Sequence, residues 1–321
     1  MSVVKLYPEL KDYIWGGTRL IEQFGKKTDL TKVAESWELA CRGDGNCRTQ
    51  NGTALWDHIQ SKGKQVLGTD CEGCDGFPVL IKLIDAEKDL SVQVHPDDEY
   101  AAAHGGQGKT EMWYVIDCKP DSSIVLGFKE ETTKEAFAQA IKQGTVLDIA
   151  AKMQVRKGDV FFVPPGTLHA IGKGVLVAEI QQNSNTTYRV YDYGRKGSDG
   201  KPRELHIGNA LDVTRTVPQA PTPKYEAVKA DGFEYTLLVR CEYFTAVRFD
   251  VQSAADIYID ERSFAHLLML DGSGDVQGQK ANKGESFFID AACGKVRING
   301  KCSFILTRYG CEERTDTLVK E

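Results

Sequence analysis

The sequence predicts a mainly β protein: a sandwich or barrel of short strands, with a few short helices and a second, smaller β domain. Three observations predict this. Short runs of β-branched and aromatic residues recur along the chain, each punctuated by Gly, Pro, Asp or Asn. Helical patterning is confined to a few stretches of the first half. Residues 216–224 (TVPQAPTPK) carry three prolines and read as an extended linker. The expected division is therefore 1–215, a linker at 216–225, and 226–321.

The elements follow in order. Thr53 caps a helical segment carrying Leu55, Trp56 and Ile59. Thr132 and Glu135 have capping-box spacing, followed by Phe137, Ala140 and Ile141 on one face, with Gly144 as the stop. Strands are expected near 77–84, 90–95, 112–117, 123–128, 160–163 and 175–181. After the linker they are expected near 235–238, 244–249, 265–270, 286–289 and 302–307. The two halves share a pattern. Lys157-Gly158-Asp159-Val160-Phe161-Phe162-Val163 resembles Lys283-Gly284-Glu285-Ser286-Phe287-Phe288-Ile289, and a Gly-x-x-x motif follows each. In the second copy Arg297 stands for His169 and Ala265 for Glu111, so the chemistry is expected in the first.

Composition narrows the function. The 321 residues are 41% hydrophobic and 27% charged, with a formal net charge of −6 and no basic run. Nucleic acid and anionic membrane surfaces are poor partners for such a chain. No basic stretch leads into an apolar core at the N-terminus, and no apolar run approaches the length of a membrane span. Nine cysteines scattered from Cys41 to Cys311 suggest reduced thiols and a cytoplasmic home. Cys71 and Cys74 form one CxxC without a second ligand pair nearby, and read as a loop with two free thiols.

Three segments carry metal-capable side chains. In Gln93-Val94-His95-Pro96, strand alternation projects Gln93 and His95 to one face. In Lys109-Thr110-Glu111-Met112-Trp113, Lys109, Glu111 and Trp113 share a face. The third is Gly158-Asp159-x4-Pro164-x-Gly166-x-x-His169, a strand, a Pro-Gly turn and a histidine entering the next strand. Two imidazoles, a carboxylate and an amide oxygen suit a borderline cation such as Zn²⁺. His58, His206 and His266 read as ordinary structural histidines.

The segment 158–169 resembles the second motif of the cupin superfamily. Gln93 to Pro96, Lys109 to Glu111, Asn183-Ser184-Asn185-Thr186-Thr187-Tyr188-Arg189, Trp15-Gly16-Gly17 and Glu35-Ser36-Trp37-Glu38 resemble type I mannose-6-phosphate isomerases more narrowly, in their short bacterial form. The resemblance spans about residues 5–210. It implies a cupin jelly roll with a cupin-like C-terminal domain lacking the metal. It also implies one Zn²⁺ per chain on Gln93, His95, Glu111 and His169, an active-site arginine at Arg189, and site lysines at Lys109 and Lys82.

The implied reaction interconverts mannose 6-phosphate and fructose 6-phosphate through a cis-enediol. Glu179 sits on one strand face with Val177 and Gln181 and is the first candidate for the base, with Lys109 its rival. Lys82, Lys109, Arg195 and Lys196 are candidate phosphate cations, unranked by sequence. Two other readings use the same residues: an Fe(II) cupin oxygenase on His95, His169 and Glu111, or a sugar-binding cupin without catalysis.

Overall fold

Strand alternation builds the first unit around two facing antiparallel sheets. The computed structural model describes residues 2–197, 200–311 and 318–319. One sheet has the strand order Val160–Val163, Glu111–Cys118, Val175–Gln182, Val79–Asp85, Glu35–Leu39, Glu9–Lys11. The other has the order Ala150–Gln154, Ser123–Phe128, His169–Ile171, Val92–Val94, Tyr188–Tyr191. Between them lie Trp113, Val115, Val177 and Ile84 from the first sheet and Ile124, Leu126 and Ile171 from the second. The alternate residues of the six-stranded sheet, Ile81, Leu83, Met112, Ala178 and Ile180, belong to another core. They pack with Leu268, Phe288 and Ile305 of the second unit. Helices Lys134–Gln143 and Ile207–Val213 cover the outer face of the five-stranded sheet, with Phe137, Ile141 and Ala210 buried alongside Val92, Val94 and Val125.

The second unit is a ten-stranded antiparallel sheet curled around its own core. Phe233, Phe249, Phe287 and Phe304 are buried in that core, the rings of Phe249 and Phe304 stacked at 5.0 Å. Strand Val3–Tyr7, which the sequence reading did not anticipate, joins this distant sheet. It pairs antiparallel with Ser286–Ile289, Val3 opposite Ile289.

Strand register makes the internal repeat concrete. Val163 lies opposite Glu111, and Ile289 opposite Ala265. The glycines of the paired Lys-Gly motifs share a left-handed backbone, Gly158 at φ 91° and Gly284 at φ 82°. Gly166 and Gly294 match in the same way, at φ 77° and 73°. Ala265 is buried, and Arg297 lies outside the core on Asp256 and Asn299.

Some local expectations shift. The helix Leu55–Lys62 is preceded by Ala54 rather than Thr53 as cap. Thr133, not Thr132, caps the helix Lys134–Gln143, accepting from the Ala136 N–H at 3.1 Å. The carboxylate three residues after Thr132 therefore signalled the right helix one position out. Gly144 ends it in the left-handed region, as expected. Residues 216–224 form no helix or strand but are fastened along the first unit. Thr132 N–H donates to the Thr216 carbonyl at 2.8 Å, and Phe162 N–H to Thr222 Oγ1 at 2.8 Å.

His266 is fully buried between the units and donates from Nε2 to the Glu38 carbonyl at 3.2 Å. Burial pushes its pKa down to about 3. Below about pH 6.5 the unfolded chain therefore takes up a proton that the folded chain refuses, and stability falls as pH falls from about 6.5 toward 3. His266→Gln keeps a donor without the titration. Its unfolding free energy, from urea titrations, should depend less on pH between 7 and 5 than that of the parent, by up to about 1.4 kcal/mol per pH unit. An unchanged slope would rule out this origin.

Candidate active site

The site lies between the two sheets of the first unit. Gln93, Glu111, His169, Glu179, Lys82 and Arg189 sit on strands, while His95 lies just past the strand end at Val94 and Lys109 just before Glu111. Glu111 is held between neighbouring strands, opposite Val163 on one side and Gln181 on the other. His169 lies opposite Gln93, and Gln93 opposite Arg189, so those three cross the five-stranded sheet in a row. Glu179 lies opposite Lys82 and Trp113.

His95, Glu111 and His169 are buried, with ligating atoms all within 4.8 Å of one another. Among the described residues they are the one such group of His, Cys, Asp and Glu. Nδ1 of His95 is 2.8 Å from the Thr186 carbonyl, and Nδ1 of His169 is 2.8 Å from the Thr167 carbonyl. A carbonyl only accepts, so both Nδ1 atoms carry the proton and both Nε2 atoms present lone pairs. Those lone pairs face each other at 3.1 Å. Burial lowers the pKa of His95 and brings that of His169 down to about 4, which keeps both rings neutral. Burial also raises Glu111 to about 7 despite Lys109, whose Nζ lies 2.8 Å from Oε2. Glu111 Oε1 is buried with no hydrogen-bond donor. Two aimed lone pairs and an unsatisfied carboxylate oxygen are the donor set of a divalent cation, oriented through the backbone carbonyls behind the imidazoles. The Gln93 amide adjoins the cluster, its Nε2 3.3 Å from His169 Nε2. A half-turn of the amide presents oxygen in place of nitrogen.

A cleft of about 460 Å³ opens beside the cluster. Lys82, Gln93, Lys109, Glu179 and Arg189 all line it. Glu179 is buried; Trp113 Nε1 donates to one oxygen at 3.1 Å, and Lys82 Nζ lies 3.3 Å from the other. Burial raises its pKa, but Lys109, Lys82 and the indole N–H outweigh burial and hold the carboxyl below the usual range. Lys82 balances in the opposite sense. Burial disfavours its charge, yet Glu35 and Glu179 hold the ammonium protonated. Arg189 donates to Ser91 Oγ at 3.2 Å and to the Glu204 carbonyl at 3.0 Å. Arg195 is tied to Asp192 and the Asp89 carbonyl, and Lys196 is exposed; neither lines the cleft.

The glycines of Trp15-Gly16-Gly17 answer to close packing. A Cβ on Gly16 would sit 2.6 Å from Ala34, and one on Gly17 2.4 Å from an Asp85 oxygen. Trp15 thereby reaches the cleft wall. In Glu35-Ser36-Trp37-Glu38 the two carboxylates part: Glu35 accepts from Trp37 Nε1 at 2.7 Å near Lys82, and Glu38 pairs with buried Lys26 at 2.6 Å.

Comparison with known proteins agrees with this geometry. A model of the phosphomannose isomerase type I catalytic domain matches residues 3–133, and one of the mannose-6-phosphate isomerase cupin domain matches residues 234–309. Mannose-6-phosphate isomerase ManA of Bacillus subtilis is 36% identical over 315 residues, 94% of this chain and 96% of its own. The chain belongs to the type I phosphomannose isomerase family. Its activity class is accordingly aldose–ketose isomerisation. A mannose-6-phosphate isomerase of Streptococcus mutans is 38% identical over 278 residues, covering 84% of this chain and 85% of its own. The crystal structure of the mannose 6-phosphate isomerase from Bacillus subtilis superposes with a TM-score of 0.89 at 33% identity, over 96% of this chain and 99% of that one. The expected mainly β fold with a cupin domain and few helices is thereby shown, the cupin-domain match covering residues 234–309.

Family resemblance and strand alternation did not single out Arg203 or His206, which also line the cleft. His206 read as an ordinary histidine because it follows a polar loop, and only the fold returns that loop to Arg189, whose backbone N–H lies 3.3 Å from His206 Nδ1. Ser91 had a readable signal, two positions before Gln93 on the same face.

If the His–Glu–His cluster holds a divalent ion, chelation should lower the melting temperature of purified protein, and one equivalent of metal should restore it. The double variant His95→Ala, His169→Ala should melt at the same temperature with or without chelator. A chelator-dependent shift surviving in the double variant would locate the metal elsewhere.

Proposed function

We propose that this chain is a zinc-dependent isomerase interconverting mannose 6-phosphate and fructose 6-phosphate through a cis-enediol. The observation carrying this reading is one cleft, in a member of this family, that joins a neutral-imidazole metal cluster to Glu179, Arg189 and two lysines. Zinc on His95, Glu111, His169 and Gln93, one ion per chain, supplies Lewis-acid polarisation of the substrate's carbonyl and neighbouring hydroxyl.

The chain's own residues do the rest. Glu179, held ionised by Lys82 and the Trp113 N–H, takes the proton from C2 and returns it to C1. Arg189, its guanidinium oriented by Ser91 and the Glu204 carbonyl, faces the oxygen on which charge develops. Lys82 and Lys109 give the cleft the positive charge that an anionic phosphate ester needs. The buried walls, Trp15, Trp113 and Ile84 among them, limit access of water to the enediol. Lys109, 2.8 Å from Glu111, is the second candidate for the base. Nine unpaired thiols favour a reducing, cytoplasmic setting.

Arg189→Ala should retain stoichiometric zinc by elemental analysis yet lose about two to three orders of magnitude in kcat. Arg189→Lys should recover little of it, because an ammonium lacks the planar fork. Near-normal turnover of Arg189→Ala would refute the role. Iron in place of zinc, with oxygen uptake, would favour the oxygenase reading.

The base is tested in D₂O. Proton transfer by a side chain admits solvent deuterium at C1 of fructose 6-phosphate, seen by NMR. Glu179→Gln should bind zinc and substrate but lose both turnover and label exchange. Should it stay active while Lys109→Met is dead with zinc bound, the base is Lys109.

A further inference from the structure

A second cleft, of about 710 Å³, is lined by residues of both units, and the isomerase chemistry does not use it. Cys74, Tyr309, Phe77 and Asn183 are among its lining residues. Cys74 belongs to the CxxC that the metal site left unexplained.

The local backbone poises this pair for a covalent bond. Cys71 ends a short 3-10 helix, Glu72 follows at φ −60°, ψ −30°, and the Cys74 N–H donates to the Cys71 carbonyl at 3.0 Å. That is a type I turn, which keeps the first and fourth Cα atoms within about 7 Å, overlapping the span of about 4.4–6.8 Å that a disulfide bridges. The two thiols influence each other's titration, and Tyr309 stands with Cys74 in the lining of the cleft. Cys71, Tyr309 and Lys64 together outweigh burial and Asp75 and hold the Cys74 thiol below the ordinary thiol range. Burial instead pushes Cys41, Cys47, Cys241 and Cys302 up.

Access and anchoring are divided between the two. Cys71 is buried, and the residues before it are tied to the second unit, with Thr69 N–H on the Glu261 carbonyl at 3.0 Å and Asp70 N–H on the Arg262 carbonyl at 2.9 Å. Cys74 is half-buried and faces the cleft, and Gly73 beside it has open space where a side chain would stand. One thiol is therefore available to a small solute while its partner waits behind it.

We propose that Cys71 and Cys74 form a reversible thiol–disulfide site that reacts with small peroxides entering through this cleft. The Cys74 thiolate attacks one oxygen of hydrogen peroxide. The S–O bond forms, the O–O bond breaks, and hydroxide leaves and is protonated to water. The Cys71 sulfur then attacks the sulfenic Cys74 sulfur. The S–S bond forms, the S–O bond breaks, and the Cys71 proton departs with the hydroxyl as a second water. Two thiols and one peroxide give one disulfide and two waters, a two-electron exchange that a small dithiol such as dithiothreitol reverses.

The sequence makes the test clean, because the tryptic peptide of residues 65–82 carries both cysteines and no other. Purified full-length protein is treated with one equivalent of hydrogen peroxide, alkylated with iodoacetamide, digested with trypsin and weighed. The peptide should appear unalkylated and lighter by two hydrogens than the dithiol form, and dithiothreitol before alkylation should restore two alkylated cysteines. Cys71→Ser should abolish the two-hydrogen loss and leave Cys74 as a sulfenic acid, trapped by dimedone added with the peroxide. Cys74→Ser should leave Cys71 unoxidised. Full alkylation of residues 65–82 after peroxide, or oxidation of Cys71 in Cys74→Ser as fast as in the parent, would overturn the proposal.

Discussion

The whole arrangement depends on the period-two alternation of three neighbouring strands, Glu111–Cys118, Val175–Gln182 and Val79–Asp85. One sheet must serve two unlike environments. Its outward residues, Met112, Ala178, Ile180, Ile81 and Leu83, are apolar because they join the core shared with the second unit. Its inward residues, Glu111, Glu179 and Lys82, are charged and buried all the same. A slip of one residue would turn the carboxylates into the apolar interface and the methyl groups into the cleft. Because that exchange costs so much, the second unit fixes the register of the site, although the His–Glu–His cluster belongs wholly to the first.

Buried charge is the second constraint. Glu35, Glu111 and Glu179 stand with Lys82 and Lys109 in a space from which water is largely withdrawn. Such charges persist only when each is paired, and the pairs hold one another in place: Lys82 spans Glu35 and Glu179, while Lys109 lies against Glu111 and His95. The second unit shows the alternative. Where the first has Glu111 it has a buried alanine, and phenylalanines crowd its interior. The same curled sheet thus becomes either a filled core or a charged cleft, according to which residues occupy its inward positions.

Much of this was legible because alternation is local. Gln93 with His95, and Lys109 with Glu111, could be assigned a common face from spacing alone. Equal spacing before Asp117 and Asp271 matched Ala265 to Glu111 in the repeat, and the register agrees, with Val163 opposite Glu111 and Ile289 opposite Ala265. What could not be read was any contact made by irregular backbone. The carbonyls of Thr167 and Thr186, which set the histidine tautomers, belong to loops without periodicity. His206 and Arg203 come from a polar loop whose return to the cleft is a property of the fold. Strand Val3–Tyr7 carried too little pattern to name its partner, which lies near the other end of the chain.

That strand has a consequence for synthesis. Ser2 and Asp290, joined by a hydrogen bond at its edge, are 288 positions apart. During translation Val3–Tyr7 has no place to pair until Ser286–Ile289 has followed, so this ladder contributes contacts of very long sequence separation. Val3–Tyr7 and Ser286–Ile289 then join the second unit's sheet together. A substitution that weakens Val3–Tyr7 would therefore burden the second unit, whose sheet that strand extends, although it lies far away in sequence.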